Sequence, residues 1–321
     1  MSGVNGARRG PWVLMMEEPS GHGWRAGTSR WHRARLCGER RVNRCHCSLD
    51  GPCFHREINH TSSVQEHEMR NASRWSPTKF DIRGGRLRAS RDPHQVGPGS
   101  QLMADLVASV YAERLPRHAS GRLIDLGCGQ VPLYGAYRDH VDSVTCVDWG
   151  DSFHESLHLD HECDLSRSLP FADRSFDTIV LSDVLEHIPD PALLWREMAR
   201  ILEPGGRLLM NVPFFYWIHE KPHDYYRYTE FALRRFASEA GLEIVELEPI
   251  GGAPEILADI HGKHLQSLPV LGSSLARLIQ GFTGWFVRWG PGRRLSRRTA
   301  THFPLGYVMV ALKPESGDTI S

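Results

Sequence analysis

A doubly wound α/β sheet is the fold class this sequence predicts, and three observations predict it. Short apolar strands alternate with helical segments over much of the chain, the pattern of a parallel sheet whose crossovers are helices. The segment Leu123-Ile124-Asp125-Leu126-Gly127-Cys128-Gly129 reads as a buried strand running straight into a glycine turn. A second strand, Ser143-Val144-Thr145-Cys146-Val147, ends in Asp148, about twenty residues beyond the turn, where an acid can hold two ribose hydroxyls. In open parallel sheets a ligand sits at the carboxyl ends of the strands where their order reverses, so the turn and Asp148 mark one expected site.

The elements follow in order. Residues 1–68 carry no hydrophobic period and mix Gly, Arg, His and Trp with Cys37, Cys45, Cys47 and Cys53. His46 and His55 lie nearby, but the spacings match no paired C-x₂-C zinc pattern. The expectation is disorder, or a true start at Met69. Cys128, Cys146 and Cys163 fall in or beside strands as small hydrophobes, which suits a reducing cytosol. Pro11–Met16 is too short for a secretory apolar region and is followed by Glu17 and Glu18, and no stretch is long enough to span a bilayer. A cytoplasmic protein is expected.

Residues 70–100 are polar and turn-rich, on the surface near the cofactor mouth. A helix over Gln101–Leu115 turns Leu102, Leu106 and Val110 inward, and Pro116 stops it. A third strand, around His158–Cys163, closes on Asp164-Leu165. The fourth, Phe176–Leu181, closes on Ser182-Asp183. Asp190-Pro191 opens a helix to Leu202, Pro204-Gly205-Gly206 is a turn, and Arg207–Val212 is the fifth strand. Thr229 caps a helix that Gly241 ends. Leu242–Leu247 and Leu305–Leu312 complete the strands.

Two cofactor classes fit so far: a dinucleotide, or an adenosine cofactor without phosphates. The dinucleotide fingerprint needs a third glycine three residues after the second, and Pro132 stands there. The pyrophosphate reading weakens accordingly.

The ordered series Asp125-Leu126-Gly127-Cys128-Gly129, Asp148, Asp164-Leu165, Phe176-Asp177, Ser182-Asp183-Val184-Leu185-Glu186-His187 and Pro204-Gly205-Gly206 resembles the class I S-adenosylmethionine-dependent methyltransferases. The resemblance covers about residues 120–250 and implies a seven-stranded Rossmann-like sheet, its last strand antiparallel between the fifth and sixth. It implies that Gly127 and Gly129 line the methionine part of S-adenosylmethionine and that Asp125 supports the loop. Asp148 would grip the ribose hydroxyls, Asp164 would accept from the adenine amino group beside Leu165, and Ser182 and Asp183 would face the methyl group. Val131 departs from the pattern, since many members have a further glycine there. Residues 69–321 would form the methyltransferase domain, with 253–303 a basic helical insertion.

Methyl transfer from a sulfonium asks the enzyme mainly to align and desolvate, with a general base when the acceptor is a hydroxyl. His187 is one candidate base. His219 and His223 are the others, in an aromatic cluster after the fifth strand where Tyr216, Trp217, Tyr225 and Tyr226 would wall an acceptor pocket. His219, His223 and Asp224 are also considered as metal ligands, but their spacing is not diagnostic and no metal is expected.

Ile260–Pro314 contains no Asp or Glu yet holds Lys263, Lys313 and six arginines. Within it Leu275, Leu278, Ile279, Phe282, Trp285, Phe286 and Trp289 recur at helical spacing, with Gln280, Gly281 and Gly284 on the other side. Three readings stand: a helix packed on the sheet with a solvated basic loop, a cover whose arginines meet an acidic acceptor, and an amphipathic helix on an anionic membrane. Formal net charge is zero, so no general attraction to nucleic acid is expected. The reading is S-adenosylmethionine-dependent methyl transfer to a small-molecule or lipid-linked acceptor, with O-, N- or C-methylation and the oligomeric state left open. The alternatives are a non-catalytic cofactor-binding partner protein and an NAD-dependent oxidoreductase.

Overall fold

A computed structural model describes residues 68–150 and 157–315, all within one compact unit, Ser62–Ser321. The expectations for the chain before Glu68, its four cysteines included, lie outside the described residues.

The chain first forms a hairpin, β1 (Phe80–Arg83) and β2 (Arg86–Ala89), with Phe80 opposite Ala89. Gly84 and Gly85 close it with φ of 61° and 69°, the backbone that a two-residue hairpin turn demands. The turn-rich stretch 70–100 thus contains a hairpin that the sequence reading did not assign. Helix α1 (Gln101–His118) runs through Pro116. In the last turn the missing amide removes a single helical bond, and Ala119 N still reaches Leu115 O at 2.9 Å. Its buried face centres on Met103, Val107 and Tyr111, while Leu106 and Val110 are only half-buried.

The main sheet begins with β3 (Arg122–Leu126), and after the short α2 (Tyr134–Tyr137) come β4 (Ser143–Asp148), β5 (His161–Glu162) and β6 (Phe176–Ser182). Then follow α3 (Pro191–Ile201), β7 (Leu202–Pro213), α4 (Glu230–Glu239) and β8 (Glu243–Ile250). An insertion of α5 (Ala253–Gln266), α6 (Gly272–Arg288) and α7 (Gly290–Ala300) precedes β9 (Gly306–Leu312). The strand order is β5-β4-β3-β6-β7-β9-β8, with β9 antiparallel to both neighbours. The expected seven strands and their last antiparallel member are present.

Two expected boundaries move. The third strand shrinks to His161–Glu162. Pro204-Gly205-Gly206 lies inside β7 as an irregularity, because the register jumps from Phe176 opposite Leu202 to Thr178 opposite Arg207. Both faces of the sheet are covered, as near-continuous apolar strands require. Ile179 and Leu181 pack into the cluster holding Trp195 and Met198 of α3, and Val180 into the cluster holding Tyr111 and Leu115 of α1. The first and second strands of the parallel set therefore end together at one sheet edge, which also receives the ends of β6 and β7.

Helix α6 packs by its small residues and not by its apolar stripe. Its buried residues are Gly272, Ala276, Gln280 and Gly284, one stripe at a spacing of four. Gln280 is buried, accepts from Leu102 N, and donates to Gly99 O and Ala258 O, all within 2.9 Å. Leu278, Phe282, Trp285 and Trp289 are exposed at 69%, 63%, 59% and 57%. The packed face is the small one because small residues allow close approach: a Cβ on Gly272 would lie 2.3 Å from Leu265 O. The helix packs on α1 and α5 by its small-residue stripe and leaves its apolar stripe outward. Among the described residues no helix is long and apolar enough to cross a membrane.

Candidate active site

The glycine turn grows directly from β3. Gly127 and Gly129 have φ of 71° and 51°, and a Cβ on Gly127 would meet Val184 Cγ2 at 2.5 Å, so only glycine fits there. The amides of Gly127 and Cys128 donate to Val147 O at 2.8 and 3.0 Å, which ties the turn to the end of β4. Asp148 completes the tie by accepting from Gly129 N at 2.8 Å and from its neighbour Trp149 N at 2.7 Å. A carboxylate offers about four acceptor positions, so this anchoring is compatible with holding ribose hydroxyls.

Asp125 lies beneath the turn, 3% exposed, and accepts from Tyr137 Oη at 3.0 Å. Burial lifts its pKa to about 7; the Tyr137 hydrogen bond opposes the rise and the charge on Asp148 adds to it. A buried acid held this way favours a cation close by, and S-adenosylmethionine brings both an ammonium and a sulfonium. Asp164 follows β5 and caps a turn, accepting from Ser166 N at 2.9 Å and from Arg167 Nε at 3.0 Å; Leu165 beside it is buried. The group thus fits: Asp125 for its charge, Asp148 for hydroxyls, and a turn of two glycines whose one side chain, Cys128, is buried.

Ser182 and Asp183 end β6 in a network that the sequence did not announce. Asn211 Oδ1 accepts from Ser182 Oγ and from Tyr111 Oη, each at 2.8 Å, and Asn211 Nδ2 donates to Asp183 Oδ1 at 2.5 Å. Lys79, from the segment before β1, donates to Asp183 Oδ2 at 2.9 Å. Burial works against the Lys79 charge, but Asp183 outweighs it and the pKa rises. Asp183 adopts φ of 53°, an uncommon backbone for a non-glycine residue.

Beyond Asp183 a 3₁₀ turn, Leu185–His187, is covered by the loop that follows β7. Tyr225 N and Tyr226 N donate to Glu186 O at 2.9 and 3.2 Å, and Tyr228 Oη donates to Leu185 O at 3.1 Å. These bonds carry His219 onto His187, the ring centroids 4.8 Å apart. His223 does not join them: its ring lies edge-on to Trp149 at 5.2 Å, with Nδ1 3.2 Å from Tyr225 Oη, while its carbonyl accepts from His187 Nδ1 at 2.9 Å. Asp224 instead anchors the loop. Burial would push it up, but the Arg227 guanidinium and the His219 amide outweigh burial and bring its pKa down to about 2. Burial and the neighbouring His187 lower the pKa of His219, against the pull of Asp224.

Of the four expected wall residues, Tyr216 is the one drawn inward. Lys263 of α5 lies 3.4 Å from its ring centroid and 5.3 Å from that of Trp217. Lys263 is also paired with Asp259 at 2.6 Å, both buried. Burial raises Tyr216 to about 12 and lowers Lys263 to about 8, the latter against the pull of Asp259. Trp217, Tyr225 and Tyr226 are exposed at 44%, 45% and 40%, and Tyr226 Oη donates to Pro189 O at 3.0 Å.

Residues 124–210 match the family model described as a methyltransferase domain. The chain carries a class I S-adenosylmethionine-dependent methyltransferase domain. A ubiquinone biosynthesis O-methyltransferase of Coxiella burnetii is 28% identical over 110 residues, 32% of this chain and 47% of the relative. Methyltransferase GfsG of Streptomyces halstedii is 32% identical over 130 residues, 36% of this chain and 46% of the relative. The solved structure of an S-adenosylmethionine-dependent methyltransferase from Mesorhizobium loti aligns with a TM-score of 0.42 at 16% identity, covering 66% of this chain and 99% of that one. The chain spans about half the length of the curated relatives it matches.

The structure also brings to this sheet edge residues that the sequence reading did not single out as site groups. Glu186 is fully buried between the two histidines; its signal was an acid placed straight after Leu185 at the functional end of a strand. Lys79 and Lys263 had a compositional signal. Only four lysines occur against thirty-four arginines, and two of the four are tied to this site.

Proposed function

We propose that the domain transfers a methyl group from S-adenosylmethionine to a small or lipid-linked acceptor, working against an anionic membrane surface. The carrying observation is the reversed polarity of α6. A helix whose small residues pack inward and whose Leu278, Phe282, Trp285 and Trp289 face outward, followed by Arg293, Arg294, Arg297 and Arg298 on α7, has the character of an interfacial anchor. The same insertion supplies Lys263 to the Tyr216 wall, which supports an acceptor reached from that surface.

When bound, S-adenosylmethionine supplies an electrophilic methyl group on sulfur. The chain's own part is to orient and desolvate. Asp148 and the glycine turn fix the cofactor end, and the Tyr216–Lys263–Asp259 wall keeps water from the acceptor side. The imidazoles of His187 and His219 hold nitrogen lone pairs at the mouth, where a hydroxyl acceptor would lose its proton.

Sedimentation with vesicles tests the reading. The chain is expected to sediment with phosphatidylglycerol vesicles and not with phosphatidylcholine vesicles, and Trp285→Ala/Trp289→Ala is expected to reduce binding about tenfold or more, given roughly 1.5–3 kcal/mol for each buried aromatic side chain. Absence of binding to anionic vesicles at low salt would remove the membrane from the account. Methyl incorporation from labelled S-adenosylmethionine into a membrane lipid extract tests the acceptor class.

A further inference from the structure

We propose that Glu186, His187 and His219 form a binding site for a divalent transition-metal ion, which rests on the methyl-transfer reading and gives its two histidines the role of metal ligands. Three facts lead there. Glu186 is fully buried, and neither of its carboxylate oxygens has a hydrogen-bond partner among the described residues. The cations that act on it are hydrogen-bonded to other acids: Lys79 to Asp183 and Arg227 to Asp224. A buried carboxylate without partners is normally neutralised by a proton or a metal.

The histidines decide between these. His187 Nδ1 lies 2.9 Å from the His223 carbonyl, which only accepts, so that nitrogen carries the hydrogen. His219 Nδ1 lies 3.3 Å from the Trp217 carbonyl and 3.3 Å from the Asp224 carboxylate, again acceptors only. In the neutral tautomers both Nε2 atoms are then lone-pair nitrogens: Glu186 Oε1 is 3.8 Å from His187 Nε2 and 3.9 Å from His219 Nε2, and Glu220 Oε2 is 3.7 Å from His187 Nε2. His187 Nε2 is buried with no hydrogen-bond partner. A carbonyl or carboxylate behind each imidazole is the arrangement that orients metal-binding histidines.

The geometry is within reach of one ion. The three ligand atoms lie within 4.8 Å of one another, whereas ligands on one ion with bonds near 2.1 Å lie about 3–3.5 Å apart, so the widest pair must close by about 1–2 Å for an ion to bind all three. Two neutral imidazoles and one carboxylate suit manganese, iron, cobalt or zinc. Three protein ligands leave coordination positions open, as in catalytic rather than structural sites. An oxygen of the acceptor would occupy one, and its proton would then leave more readily.

The test uses the full chain, stripped with a chelator, dialysed and titrated with Co²⁺ while visible absorption is followed. Wild type is expected to bind one ion with a d–d spectrum that Glu186→Gln and His219→Ala lose, each weakening that site by about 100-fold or more. Taking the difference between wild type and variant removes ions held elsewhere, including at the cysteines before Met69. Circular dichroism establishes that each variant is folded, and Co²⁺ is expected to raise the melting temperature of wild type alone. If folded His219→Ala and Glu186→Gln bind Co²⁺ as wild type does, or if wild type shows no d–d spectrum, the site is overturned and Glu186 is a protonated structural carboxyl.

Discussion

The proposed cofactor side and the proposed acceptor side of the same sheet edge are built by different means. On the cofactor side, Gly127, Gly129 and Asp148 belong to two adjacent strands, and nineteen residues separate the partners of the Gly129–Asp148 bond. On the acceptor side, Lys79 meets Asp183 across 104 residues, and the turn holding Glu186 is closed by a loop 36 residues later through His223. The first side is local strand-end chemistry. The second is assembled from distant segments and therefore depends on anchors outside the chemistry.

The comparison is broken most severely at an acceptor-side anchor. Asp224→Asn removes the charge paired with Arg227, which keeps only carbonyl partners there, and weakens the hold on the His219 amide; each charge-assisted hydrogen bond lost costs about 1.5–3 kcal/mol, which urea denaturation would read. The pH dependence has a fixed sign. Because the Asp224 pKa is depressed to about 2, its contribution is complete above the unfolded value of about 3.9 and is lost as pH falls through about 2. The variant's melting temperature is expected to vary less with pH in that window.

A smaller effect is expected at the insertion's anchor. Gln280→Ala leaves Leu102 N, Gly99 O and Ala258 O without the buried amide that bonds all three, a loss of about 1–3 kcal/mol. Protection from hydrogen exchange should fall in α5 and α6 and hold in β3 and β4. Equal loss in both places would mean that the two sides do not fold as separable units.

The smallest effect belongs to the cofactor side. The Asp125 pKa of about 7 lies above its unfolded value, so this group weakens the free fold as pH rises from about 4 to about 7. Binding a cationic cofactor favours the ionised form. S-adenosylmethionine affinity is expected to fall about tenfold between pH 8 and pH 6 through this group, and calorimetry on Asp125→Asn should show that part of the slope removed.

The sequence was legible where chemistry is local. The glycine turn, the acids ending β4 and β5 and the alternation of strands and helices come from neighbours along the chain, and the sheet follows from them. Elsewhere the signals were ambiguous for physical reasons. Hydrophobic period locates the apolar stripe of α6 but does not say which face packs, and there the small stripe wins because it permits close approach. Pro116 reads as a stop, yet near the end of a helix it removes a single bond. The Asn211–Asp183–Lys79 network and the meeting of Glu186 with His219 leave no periodic trace, since their partners lie far away in the chain.

The measurement that tests the account most directly is calorimetric titration of S-adenosylmethionine into the full chain and into Asp148→Ala. One cofactor per chain is expected, with binding weakened about 100-fold or more in the variant, since two charge-assisted hydrogen bonds contribute about 1.5–3 kcal/mol each. Equal affinity in both proteins, or none in wild type, would contradict the assignment of the β3–β4 edge as the cofactor site.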